Sequence, residues 1–319
     1  MAEALVEKID RTIDQLLARE DASAALRDPS LAALARIAGE LRMCPRLAFR
    51  LRLRADLKRR TTMSTVFETV NVREGFTTVT PYLRAEDAGL LDFLVKTFGA
   101  VETLNHPAGP GLTHREVRIG DSMLMIGEGG PGAPTMRRPQ AFHVFVEDVD
   151  AAFERAIAAG GKSLGAVEDR PYGERSGFVE DPFGNYWYIA RHLGPTPVPA
   201  GYRTLTPYLH PRAAGAYIEF LTRGLGAIEE FRHALPDGRV MHAQLRCGNA
   251  VLELGESEGE GMPRSGVFYL YVTDPDALFA QAVAAGATPL GAPADQWYGD
   301  RVGSVQDPAG ITWYIARPA

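Results

Sequence analysis

Cysteine is nearly absent from this 319-residue chain, which carries only Cys44 and Cys247. Two thiols so far apart form neither a disulfide framework nor a Cys-x-x-Cys metal pair. Long apolar runs are also missing. No window approaches the ~18 consecutive apolar residues of a membrane span, and no membrane partner is expected. The opening "MAEALVEKIDRTIDQLLARE" is charged throughout and lacks the apolar centre of a secretory signal, so a cytoplasmic location is the expectation. A basic excess is missing too: 34 Lys and Arg face 40 Asp and Glu, a net charge of -6. That balance argues against nucleic acid as the main partner, because a phosphate-tracking protein is basic. What remains, 45% hydrophobic and 23% charged, is an ordinary globular chain.

The chain repeats itself. Residues 146–191 align without a gap on residues 272–317, and 26 of the 46 positions are identical. Upstream, "GFTTVTPYL" (75–83) matches "GYRTLTPYL" (201–209), and "THREVRIGDSMLMIGE" (113–128) matches "MHAQLRCGNAVLELGE" (241–256). The offset moves between 126 and 128, which places small insertions in loops. Two copies therefore occupy 75–192 and 201–319, and the proline-rich "LGPTPVPA" (193–200) reads as a stiff linker.

Each copy changes periodicity in a fixed order. "TTVTPYL" is extended, and Pro81 argues for an edge or a bulge. Helical spacing follows over 87–98 through Leu90, Leu91, Leu94 and Phe98, with Gly99 as the stop. "HREVRIG" and "SMLMIG" alternate at period two around Gly120-Asp121, a hairpin. "AFHVFVED" is a further strand. Asp148 caps a helix carrying Val149, Phe153, Ala156 and Ile157, and Asp274-Pro275 opens its counterpart. "SGFVEDPFGNYWYIAR" closes the copy as two strands around a turn in which proline sets φ and glycine takes the strained position.

That order, with "VEDVDAAFERAIAAGG" and "DPFGNYWYIA", resembles the vicinal oxygen chelate superfamily, also called glyoxalase/bleomycin resistance/dioxygenase. "TPYL", "PDGRVMHAQLRCGN", "YGDR" and "DPFGNYW" look most like its PhnB-like branch. The resemblance implies an α+β fold: two tandem domains of paired βαβββ modules, each pair curling a mixed sheet into a cup with helices outside. Two copies in one chain would then imitate the dimer common among single-copy relatives. Fold does not name a reaction.

Strand alternation assigns residues to the cups, with apolar positions under the helices. Val117 and Ile119 face the helix, so His114, Glu116 and Arg118 face the cup of the first copy; His242, Gln244 and Arg246 repeat them in the second. Phe142, Val144 and Val146 are core, leaving His143 and Phe145 for the cup, with Tyr269 and Tyr271 as counterparts. Trp187 and Ile189 pack inward while Tyr188 looks out, and Trp313 and Tyr314 repeat that pattern. Aromatics with a few polar groups are the usual lining of a small-molecule site.

The resemblance also implies where a metal would bind, because catalytic members draw ligands from the first, fourth, fifth and eighth strands. Those positions hold Thr80, Met125, Ala141 and Tyr188 in the first copy and Thr206, Glu253, Val267 and Tyr314 in the second. Only Glu253 is a competent ligand, so no metal and no other cofactor is expected. A register slip of two would bring His143 into play. Hairpin pairing of His106 with His114, and of His233 with His242, offers another arrangement, with Glu116 or Glu253 nearby; exposed histidines explain it equally. His114 and His242 are the candidate acid–base groups, since imidazole titrates near neutrality. Arg175 and Arg301, in the repeated "YGER" and "YGDR", either lean over a cup mouth to bind an anion or close the last strands through ion pairs.

Residues 1–62 read as an all-α segment of three short amphipathic helices, marginal on its own. Docking or homodimerisation through these helices is expected. The expected function is metal-independent binding of a small organic molecule in aromatic cups, as bleomycin-resistance relatives do. The alternatives are a metal-dependent lyase, isomerase or dioxygenase, or a ligand sensor working through the N-terminal helices.

Overall fold

The computed structural model describes residues 70, 72–129, 138–257 and 265–318. The helical reading of 1–62, and dimerisation through it, lies outside the described residues. From Val79 onward four βαβββ modules follow one another. The first is β1 (Val79–Ala85), α1 (Gly89–Phe98), β2 (Val101–Gly109), β3 (Leu112–Ile119) and β4 (Ser122–Gly129). The second is β5 (Ala141–Phe145), α2 (Val149–Ala158), β6 (Lys162–Arg170), β7 (Glu174–Glu180) and β8 (Tyr186–His192). The second copy repeats them as β9 (Leu205–Leu209), α3 (Ala214–Leu225), β10 (Ile228–Ala234), β11 (Val240–Cys247) and β12 (Ala250–Leu254), then β13 (Val267–Tyr271), α4 (Pro275–Ala284), β14 (Thr288–Asp295), β15 (Arg301–Gln306) and β16 (Thr312–Arg317).

The boundaries follow from local chemistry. Asp148 and Asp274 each accept a hydrogen bond at 3.0 Å from the backbone three residues on, capping α2 and α4. Gly99 ends α1 in the left-handed region at φ 66°, which glycine enters without a Cβ penalty. In the "DPFG" turn the buried Asp181 carboxylate accepts from the backbone of Phe183 and Asn185 and from the Trp187 indole at 3.0 Å. Asp307 does the same for Trp313 at 2.8 Å. Each turn thus fixes the largest core side chain of the strand after it.

Two eight-stranded sheets result, ordered β14-β15-β16-β13-β1-β4-β3-β2 and β10-β11-β12-β9-β5-β8-β7-β6. Each takes one module from each copy, which corrects the expectation that a copy closes a cup from its own two modules. The copies meet where β1 pairs antiparallel with β13 (Thr80 opposite Tyr269) and β5 with β9 (His143 opposite Thr206). Within the first copy the modules join through their helices instead. Leu83, Leu90, Phe93 and Leu124 of the first module share one buried cluster with Phe142, Ala152 and Trp187 of the second.

Pro81 is neither at an edge nor at a bulge, since β1 lies inside its sheet. Residues 79–81 pair with β13 and residues 82–85 with β4. The proline marks the hand-over between partners, where a missing N–H interrupts neither ladder. Pro207 occupies the same hand-over in β9, between Phe142 of β5 and the pairing of Tyr208 with Glu253.

Candidate functional site

The concave face of the first sheet, cup I, draws on β1, β3, β4, β13 and β16. It receives His114, Glu116, Tyr269, Tyr271 and Tyr314 of the expected residues, with Tyr82, Met123 and Met125. Arg118 instead points outward at the end of β3, its guanidinium donating to the Gly120 carbonyl at 3.3 Å. Cup I is filled by its own chain. Phe76, Met123, Met125, Tyr271, Val302 and Ala316 form a buried cluster, with Val70 and Val72 packed against it. Arg73 donates to Glu116 Oε1 at 2.6 Å and lies 4.3 Å from the centre of the Phe76 ring. His114 Nε2 is 3.7 Å from the same carboxylate oxygen. Burial acts to raise the Glu116 pKa, but His114 and Arg73 hold it below the usual value.

The second sheet forms cup II, which draws on β5, β7, β8, β9, β11 and β12. It receives His143, Phe145, Tyr188, His242, Gln244 and Glu253 of the expected residues. Arg246 is at its rim, held by Glu230 through two hydrogen bonds of 2.5 and 2.9 Å. Four residues that the alternation argument missed complete it: Glu174, Tyr202, Tyr208 and His210. Register puts Glu253 opposite Tyr208 and His143 opposite Tyr188.

At the floor a single imidazole lies between two carboxylates. His143 Nδ1 is 3.0 Å from Glu253 Oε2, and Nε2 is 3.3 Å from Glu174 Oε2. The side chains of His143 and Glu253 retain only 11% and 4% of their accessible surface. Glu253 Oε1 also accepts from the Tyr202 hydroxyl at 3.1 Å, and His242 Nε2 lies 3.7 Å away. Burial alone acts to lower the His143 pKa, but Glu253 and Glu174 overcome it and raise the value to about 10. The ring is therefore an imidazolium at neutral pH, donating at Nδ1.

The other two histidines respond in the opposite direction. Burial lowers His210 to about 4 and lowers His242 as well, so both are neutral at pH 7. His210 Nε2 meets the Tyr188 hydroxyl at 3.1 Å. Burial raises the Tyr188, Tyr202 and Tyr208 pKa values, which keeps these phenols protonated. The walls are a run of rings: Phe178 stacks on Tyr188 at 4.1 Å and 10°, Phe145 on His143 at 4.5 Å, and Tyr208 is 5.0 Å from Tyr188.

Among the described residues neither cup presents a full set of divalent-ion ligands. The ligand strands of cup I present Tyr82, Met125, Tyr269 and Tyr314, phenols and a thioether. Those of cup II present Tyr208, Glu253, His143 and Tyr188, so the slip of two does bring His143 to the fifth-strand position. Both of its ring nitrogens face carboxylates, so an ion there would have to displace a proton and one of these contacts. Among the described residues no group of three or more His, Cys, Asp or Glu is placed to hold one metal. His106 does pair with His114 across β2 and β3, and His233 with His242 across β10 and β11. His106 turns away to stack on the exposed Trp297 at 6.1 Å.

The repeated arginines are structural. Arg175 is bound by Asp150 at 2.7 and 2.8 Å and by Asp169 at 2.9 Å, and Arg301 repeats this with Asp276 and Asp295. The chemistry of "YGER" belongs to Glu174, on the cup face of β7 with Ser176 and Phe178, opposite Val179. A hollow of about 250 Å³ beside Pro211, Tyr217 and Pro308 lies away from these groups and has no charged side chain other than Arg212. Cup II is the candidate site.

Comparison with known proteins bears on the family and the fold. The family model described as "Glyoxalase/Bleomycin resistance protein/Dioxygenase superfamily" matches residues 85–189 and 213–315. The chain is 30% identical over 223 residues to "Putative glyoxylase CFP32" of Mycobacterium bovis, covering 67% of this chain and 83% of that protein. It is 37% identical over 124 residues to an uncharacterised protein of Mycobacterium tuberculosis H37Rv, covering 35% of this chain and 73% of that one. Among solved structures, glyoxalase I from Zea mays superposes with a TM-score of 0.59 at 14% identity, covering 75% of this chain and 92% of that one. That likeness concerns the fold.

Proposed function

The chain belongs to the glyoxalase/bleomycin resistance protein/dioxygenase superfamily, and from that premise we propose that cup II binds a small organic molecule directly, without a divalent metal. The observation that carries this reading is the Glu253–His143–Glu174 contact, which engages the only imidazole at a ligand-strand position on both of its nitrogens. Ring faces for apolar surface, and phenol hydroxyls with a neutral His242 for polar atoms, make up a small-molecule lining. Cup I, packed by Phe76 and the residues before it, serves as support. The PhnB-like branch and a cytoplasmic location belong to the same proposal, resting on "TPYL", "YGDR" and "DPFGNYW" and on the composition.

The test is a fragment titration followed by the resonances of Tyr188, Tyr202 and Tyr208, run with and without a chelator. Binding that survives the chelator and weakens in Tyr208→Ala is the expected result. Binding that vanishes with the chelator and returns with added zinc or manganese overturns the metal-free reading.

A second reading has one supporting observation. His242 is neutral, partly exposed and 3.7 Å from Glu253, the state needed to take a proton from a bound substrate. Turnover of any cup ligand that His242→Gln abolishes, without weakening its binding, would favour an enzyme. His114 has the equivalent place in cup I, where packed side chains fill the space.

A further inference from the structure

Cup II has a charge that its own residues do not cancel. Two carboxylates, Glu174 and Glu253, converge on one imidazolium, His143, leaving one negative charge among the surrounding rings. The basic groups at its margin are already engaged: Arg246 with Glu230, and Arg170 with Glu168 and with the Ser176 hydroxyl at 3.2 Å. The rings around the excess charge, Phe145, Phe178, Tyr188, Tyr202 and Tyr208, add the negative faces of their π-systems. His143 Nε2 meets Glu174 as an ion pair at 3.3 Å rather than a formal hydrogen bond, which leaves the outer Glu174 oxygen for a further partner.

Resting on the reading of cup II as an organic-molecule site, we infer that its ligand is an organic cation, a protonated or quaternary amine, held by the Glu174 carboxylate and the Phe178–Tyr188 stack. An anion would meet Glu174 and Glu253, and among the described residues the arginines at the margin, Arg170 and Arg246, are already paired. A neutral guest would gain the apolar contact but leave the charge uncompensated. A cation gains both, since ring faces and carboxylate attract it together. Cup I offers no such place, because Arg73 already neutralises Glu116 there.

Three probes of one shape test this on the full chain: choline, its uncharged isostere 3,3-dimethylbutan-1-ol, and 3,3-dimethylbutanoate. Shifts of the Tyr188, Tyr202 and Tyr208 resonances report occupancy. Choline is expected to bind about tenfold tighter than the alcohol, and the carboxylate weakest. Glu174→Gln should erase most of that preference. Phe178→Leu, which keeps apolar volume but removes a ring face, should weaken choline while leaving the alcohol unchanged. Equal or tighter binding of the alcohol, or choline affinity unmoved by both variants, overturns the cation assignment and leaves cup II an organic site. Absence of shifts with all three probes up to roughly 100 mM, beyond the weakest affinity worth calling a site, overturns the cation assignment and the reading beneath it.

Discussion

Position for position, the two cups derive from one repeated sequence and differ at a few places that decide their chemistry. Tyr82 answers to Tyr208, His114 to His242, Tyr314 to Tyr188 and Phe76 to Tyr202. Against that shared frame, Met125 of cup I stands where cup II has Glu253, and Tyr269 stands where it has His143. Cup I spends its hollow on packing, with Phe76, Met123 and Met125 in contact and Arg73 closing the charge of Glu116. Cup II places an ion pair in the same volume and leaves a carboxylate over. A buried charge is costly unless paired, so Glu253 and His143 depend on one another. These two exchanges, with Phe76 against Tyr202 and Glu116 against Gln244, set the charge pattern of the two cups apart.

The contrast can be broken most severely at His143. His143→Ala strands Glu253 as a buried charge and should cost about 3–5 kcal/mol in urea unfolding. The double change His143→Tyr with Glu253→Met, which writes cup I into cup II, should cost far less because it removes both charges. If the double variant is as unstable as the single one, stranded charge is not the cause. Next in size, Phe76→Ala opens cup I and should lose about 3 kcal/mol, with ligand binding in cup II unchanged when both are measured on one sample. A loss of binding there would show that the cups are not independent.

Acid provides a smaller and separable effect. His210 is held at about 4, below the ordinary 6.5 of a histidine in the unfolded chain, so the unfolded state binds the extra proton first. Stability should fall as pH drops from about 6.5 towards 4, by roughly 2–3 kcal/mol for this group, and His210→Phe should flatten that slope. The raised His143 acts on the other side. Its contribution is complete below about 6.5 and fades as pH climbs through about 10. Urea titrations at pH 4.5, 7 and 10 check both arms.

Much of this was legible before any coordinates. The module order and the helix caps at Asp148 and Asp274 follow from local periodicity and capping chemistry, as does the shared face of His114 and Glu116, whereas Arg118 on the same alternation points outward. Which modules share a sheet does not. The copies are so alike that β1 has no stronger sequence reason to pair with its own β5 than with β13 of the other copy; sequence-distant pairing decides it. So His143 and Glu253, 110 positions apart, were each assigned to a concave face yet placed in different cups. Glu174 was missed for another reason: attention to the charge of Arg175 obscured the alternation Glu174, Ser176, Phe178 beside it. His210 lies just past the end of β9, where period-two reasoning stops.

The crossed construction of the sheets has a genetic consequence. In an assembly of two identical subunits every substitution is written into both hollows at once, and neither can change without the other. Joining the halves in one polypeptide lifts that symmetry. A cup-facing change in β5–β8 or β9–β12 is then written into one sheet alone, and one in β1–β4 or β13–β16 into the other.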